Sequence, residues 1–159
     1  MSKLSIETKV TQRGHFLMKR ISQCLFLWAL GGCIYYGIEV TFRGFSHWSM
    51  FVLGGTCMVF FWLQGYVLNW QVPLWLQIIR CVIFVTAGEF ITGIIVNKWF
   101  NLAVWDYSDQ PFNILGQVCL PFVIIFSGLC VIGIFLSGYL IHWLYQEPKP
   151  KYFVIWEDI

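Results

Sequence analysis

The chain has 159 residues, of which 58% are hydrophobic and 11% charged, against roughly 25% charged in an ordinary soluble domain. A water-soluble core of this length cannot hide that much apolar surface, and the apolar residues come in long runs rather than in amphipathic alternation, so the natural solvent is lipid. The formal charge of +2 is too diffuse for a nucleic-acid partner, because the basic residues are neither dense nor interleaved with an exposed aromatic platform.

Residues 1–20 are polar and basic, with Lys3, Lys9, Arg13, Lys19 and Arg20, and read as a cytoplasmic arm or a surface-lying helix. A first transmembrane span is predicted over 21–40, since about twenty residues at 1.5 Å rise cross a hydrocarbon core. It closes on Glu39, Arg43 and the turn-forming Gly44. Leu30-Gly31-Gly32-Cys33 has a faint likeness to a lipoprotein cleavage signal, but the apolar run continues to Val40, so an uncleaved helix is preferred. A second span is predicted over 48–68, followed by a tight interfacial turn at Asn69-Trp70-Gln71-Val72-Pro73. The third covers 74–96 and carries Arg80 and Glu89. A polar segment over 97–117 leads to the last span, 118–144, where Pro121 fits a kink or a helix start. Residues 145–159 form a tail. The fold class is all-α: a polytopic integral membrane protein with four transmembrane helices.

Orientation follows from Lys and Arg outside the spans. The arm and tail together hold seven, whereas the first and third loops hold two, Arg43 and Lys98. This bias places both termini in the cytoplasm and the Asp106 segment outside, in a multi-pass protein of the cell membrane. Six cysteines lie in or beside apolar runs without a Cys-x-x-Cys pair, which suits small membrane-compatible side chains better than a metal or redox site.

Glu89 is the most informative position, because an ionisable group well inside a span is costly wherever it faces lipid. Glu89, Gly93 and Asn97 recur at intervals of four, flanked by Thr86 and Thr92, and form one stripe that is either a helix contact or the lining of a pathway. Arg80 lies half a turn out of phase and about 13.5 Å along the axis, so the two do not pair within the helix; its simplest role is to snorkel to headgroups. Glu39, on a face with Trp28, Gly32 and Tyr36, approaches the same leaflet as Glu89. With Asp106 these carboxylates are candidates for an outward-facing cation site, joined by Asn97, Asn113 and Gln117 as ion or substrate ligands. Asp106 and Ser108 are also good turn formers, and Asn113 suits a cap for the following helix. Gly93, Gly128, Gly133 and Ser137 are candidates for close helix packing. No metal-ligand spacing, phosphate cradle or nucleophile–base pair stands out, so neither an enzyme nor a cofactor is expected.

Three strings carry a family resemblance: Glu-Phe-Ile-Thr-Gly-Ile-Ile-Val-Asn at 89–97, Val-Trp-Asp-Tyr-Ser at 104–108, and Pro-Phe-Asn-Ile-Leu-Gly-Gln-Val-Cys-Leu-Pro-Phe at 111–122. With Gly-Phe-Ser-His-Trp-Ser-Met-Phe at 44–51 and Leu53-Gly54-Gly55, they resemble the bacterial CmpB-like family of integral membrane proteins labelled ABC-transporter type IV. The resemblance spans about residues 39–125 and implies a permease-like membrane protein. It also implies an acidic residue near the end of the second helix, where this chain has Gln64 and Asn69. The expected function is a transport component of unknown substrate, working as a homo-oligomer or with a partner membrane protein. The alternative is a non-transporting accessory, sensor or immunity-type protein that binds a protein partner.

Overall fold

The computed structural model describes residues 3–68 and 70–154, with side chains from residue 12 onward. Asn69 and the last five residues of the expected tail lie outside the described residues. Helix α1 runs Lys3–Arg43, α2 Trp48–Val67, α3 Leu74–Gly93 and α4 Leu120–Tyr145, and α3 continues into a π-helical turn, Ile94–Trp99. Four stretches, Gln12–Arg43, Trp48–Val67, Leu74–Trp99 and Leu120–Tyr145, are long and apolar enough to cross a membrane. Among the described residues the only β pairing is one isolated antiparallel bridge between Ile114 and Val118.

The arm expected over 1–20 is not a separate element. Its described part is helical and continuous with the first span, because no proline interrupts residues 1–43 and Gly14 stands in open space. Large aliphatic side chains point away from the bundle, among them Leu25, Ile83, Ile124 and Ile132, as expected where lipid replaces water.

Between helices in lipid, close packing and hydrogen bonds take over from hydrophobic burial as the source of cohesion. The α1–α2 contact is built from glycine pairs. A Cβ on Gly54 would run into Tyr35 and the Gly31 carbonyl, and one on Gly55 into Trp28. The two helices are joined through Gly44, left-handed at φ 77°, and through His47, whose Nδ1 accepts the Ser49 N–H at 3.3 Å as an N-cap.

Polar residues join α2 to α3. Gln64, where the family resemblance implies an acid, is buried and donates to the Gln77 carbonyl at 3.3 Å and to Cys81 Sγ at 2.8 Å. Gln77 in turn donates to the Val72 carbonyl at 2.8 Å, and Phe60 stacks on Phe84 with centroids 4.0 Å apart. Helix α4 presses Gly133 against the Phe61 ring and buries Cys130, Ile134 and Ile141. Gly133 and Ser137 are thus used inside the chain's own bundle, Ser137 bonding back to the Ile134 carbonyl. Gly128 faces outward with nothing near it.

The bundle has a cap end, closed by residues 100–119, and a tail end, closed by residues 146–154. At the tail end Gln146 turns left-handed at φ 53°. Glu147 then meets Lys19 at 2.8 Å and Arg20 at 3.1 Å and accepts from Gln23 at 3.0 Å. Burial opposes the charge on Glu147, but these donors outweigh it and hold the carboxyl below its ordinary value. Further along, the Tyr152 hydroxyl donates to the Ile134 carbonyl at 3.0 Å, and the Phe153 carbonyl accepts the Leu74 N–H at 2.8 Å, satisfying one free donor at the start of α3.

The glycine seam makes a specific demand. Gly54→Leu should destabilise the detergent-solubilised protein by about 1–3 kcal/mol through overpacking, whereas Gly128→Leu should leave the melting temperature within error; equal effects of the two would contradict the packing described.

Candidate functional site

Glu89 lies four turns into α3 and is 3% exposed. Its Oε1 accepts the Tyr35 hydroxyl at 2.8 Å, across from α1. Tyr35, Glu39 and Arg43 succeed one another at intervals of four and therefore share one stripe of α1. Arg43 Nη1 pairs with Glu39 Oε2 at 2.7 Å, its other amine reaches the Val104 carbonyl of the cap segment, and its guanidinium lies 5.0 Å over the Phe45 ring. Glu39 and Arg43 are both within electrostatic reach of Glu89. Because these two charges are spent on each other, the phenol of Tyr35 is the one direct hydrogen-bonding partner of Glu89 among the described residues.

Below this pair, α1, α2 and α4 leave a cavity of about 100 Å³ between Tyr35, Gly54, Cys57, Phe61, Phe126 and Cys130. From the cap end Tyr107 approaches, stacked on Phe122 at 4.5 Å. Burial first, then the nearby Glu89 carboxyl, push the Tyr107 phenol above its ordinary value, so it stays protonated.

The stripe Glu89, Gly93, Asn97 does face inward, and all three are buried. Its far end meets the cap segment. A Cβ on Gly93 would strike the side chains of Gln117 and Trp105. Asn97, in the π-helical turn, donates to Gln117 Oε1 at 2.8 Å and accepts the Val104 N–H at 2.7 Å. Trp105 Nε1 donates to the Gln117 carbonyl at 2.9 Å, and Gln117 Nε2 to the Leu115 carbonyl at 3.0 Å. This clasp holds a segment that carries four non-glycine residues with positive φ, Asn101, Ala103, Phe112 and Leu115, a local strain that surrounding contacts must offset.

Asp106 and Asn113 belong to a third place, an exposed turn. Asp106 Oδ1 accepts the Ser108 hydroxyl at 2.5 Å and the Ser108 N–H at 2.9 Å, and these bonds hold its carboxyl below the ordinary value. Asn113 does not cap α4, whose N-cap is Cys119 with Pro121 in the first turn. It bonds instead to the Ser108 and Gln110 carbonyls at 3.2 and 2.8 Å and accepts the Gly116 N–H at 3.2 Å.

The expected site residues therefore fall into three groups. Glu39 and Glu89 lie within electrostatic reach of each other, Glu39 paired with Arg43 and Glu89 with Tyr35, Asn97 and Gln117 form the clasp, and Asp106 and Asn113 build the turn. The three carboxylates expected to share a cation do not assemble into such a site: among the described residues no group of three His, Cys, Asp or Glu side chains is placed to hold a metal ion. Arg80 is exposed on the bundle's outer face. Tyr35 and Tyr107 are the participants that sequence reading missed. The signal for Tyr35 was its four-residue step to Glu39; its neighbour Tyr36 is instead 38% exposed.

Fold and site together define a multi-pass α-helical membrane protein with a buried carboxyl near its cap end. The chain belongs to the family described as "Putative ABC-transporter type IV", whose family model matches residues 19–157, from within α1 through α4 and most of the tail. No solved structure matches the chain.

The clasp can be tested directly. Asn97→Leu strands buried groups on Gln117 and Val104, which should cost about 2 kcal/mol and expose the cap segment to proteolysis before the helices melt; an unchanged digestion pattern would refute a clasping role.

Proposed function

We propose that this protein is the permease-like membrane component of a transport system and that Glu89 is the group that takes up a proton or a cationic group during transport. The observation that supports this most is the isolation of the carboxyl. It is buried at membrane depth, its one direct partner is a phenol, and the nearest cation, Arg43, is committed to Glu39 and Val104. An acid in such a place is expensive to keep. Its protonation state can change without breaking an ion pair, and Tyr35 and Tyr107 supply hydroxyls beside it.

The neighbouring cavity of about 100 Å³ is smaller than the 300–1,000 Å³ typical of small-molecule sites. A solute path of useful width therefore lies between copies of the chain or between it and a partner membrane protein, and the outward-facing Gly128 offers a surface for close approach. In the cell membrane the surplus of Lys and Arg on the arm and tail favours both termini inside, with the cap end outside. This role is non-enzymatic. A second reading, an accessory protein that binds a protein partner, draws on the exposed Phe112 and Leu115 of the cap turn, 81% and 63% exposed.

Reconstituted into proteoliposomes with a panel of ions and solutes, the parent protein should carry flux, Glu89→Gln should lose at least about tenfold of it, and Tyr35→Phe should lose less. Absence of flux from the folded parent, or equal flux from Glu89→Gln, would reject the transport role; a stoichiometric partner that is lost with Phe112→Ser would then favour the accessory one. The orientation has its own check: a tag on either terminus should resist protease added outside intact cells and be cut in inverted vesicles.

A further inference from the structure

At the tail end the folded-back tail, Arg20 of α1 and the ends of α2 and α4 enclose a second cavity, of about 360 Å³, that the transport reading does not use. Its wall is aromatic and aliphatic, from Trp62, Tyr66, Trp70 and Ile141, and its rim is charged, from Arg20, Glu147, Lys149 and Lys151. We propose that this pocket binds the phosphate of an anionic lipid headgroup, with the aromatic wall taking the first part of the lipid's apolar body.

The charge balance favours an anion. Glu147 is already engaged by Lys19, Arg20 and Gln23, so its charge is more than matched before the two tail lysines are counted. Lys149 and Lys151 are exposed and have no acidic partner among the described residues. The Arg20 guanidinium is pinned over the Tyr66 ring at 4.2 Å and held by Gln23 and Glu147, so its positive charge is fixed beside the pocket and adds to that of the two lysines.

Depth points to a lipid rather than a dissolved ion. The pocket lies where α2 ends at Val67, α3 starts at Leu74 and α4 ends at Tyr145. That is the level at which hydrocarbon gives way to headgroups and where Trp and Tyr rings gather. An anionic lipid places its phosphate at this level and its chains beside the wall. A zwitterionic choline lipid brings its own cation, which the lysine pair repels. Under the orientation proposed above the ligand comes from the cytoplasmic leaflet, but the recognition chemistry is the same in either leaflet. Gly138 is needed here as well, since a Cβ there would crowd Tyr152, Pro150 and Trp70 and squeeze the tail off its seat.

Native mass spectrometry of the full chain in detergent, with phosphatidylglycerol and phosphatidylcholine added at equal concentration, tests the idea. The parent should bind phosphatidylglycerol preferentially, by about fivefold per free lysine, or about twenty-five-fold in all. Lys149→Gln with Lys151→Gln should erase the preference without changing the melting temperature of the lipid-free protein, while Lys149→Arg with Lys151→Arg should keep it. Glycerol 3-phosphate at millimolar concentration should not displace the lipid. Equal binding of the two lipids, a preference that survives the double glutamine variant, or full displacement by glycerol 3-phosphate would each overturn the proposal, the last in favour of a soluble phosphate. Transport activity is not part of the readout, so the outcome is independent of the role assigned to Glu89.

Discussion

The close approach of α1 and α2 at Gly31 and Gly54 is the constraint on which the rest of the arrangement depends. Lipid gives helices no hydrophobic reason to associate, so backbones must come near enough for dispersion and polar contacts to act. Gly54 supplies more than proximity. The space a side chain would fill there is occupied by Tyr35, and from that position the phenol reaches across to Glu89 on α3. Gly88 on α3 is likewise set against Leu53 of α2, so the residues beside the glycine seam fix where α3 can sit. The geometry around the buried acid is therefore a consequence of two missing side chains on helices that do not carry it.

Much of the bundle was legible in the sequence because its signals are one-dimensional. Run length marks the spans, Gly44 and Pro73 mark their ends, and a four-residue step exposes the inward stripe from Glu89 to Asn97. Pairings between distant positions were not legible. Nothing local to Arg43 says that it will also hold the cap segment through Val104, and nothing near Glu89 says that Tyr35 of α1 will reach it. The acidic residues looked like a cluster because topology brings them to one end, but a shared end is a coarser condition than a shared site. The continuous α1 has a similar cause: a basic, weakly apolar stretch has no hydropathy signal for a span, yet without a breaking residue it has no reason to stop being helical.

The two ends of the bundle solve one problem in different ways. Connecting backbone near a membrane must find partners for its amides and carbonyls. The cap segment does so with side-chain amides, Asn97 and Gln117 taking over bonds that regular structure would otherwise provide. The tail uses ions and phenols, with Glu147 gathering donors from α1 and Tyr152 bonding into α4. The cap's amide bonds are neutral and Arg43 adds one ionic anchor at Val104, whereas the ions of the tail leave a surplus of positive charge at the opposite end.

Against that background the chemistry at Glu89 stands apart from the other buried clasps. Gln64 joins α2 to α3 with a neutral amide, and Asn97 meets Gln117 amide to amide. A glutamine at position 89 would accept the Tyr35 hydroxyl equally well through its carbonyl oxygen, at a far smaller desolvation cost. Packing alone therefore explains why a polar side chain faces Tyr35 but gives no reason for an acid. The difference between an amide and a carboxyl at that position is a proton that can leave, and that difference is what a transport role uses and a purely structural role does not.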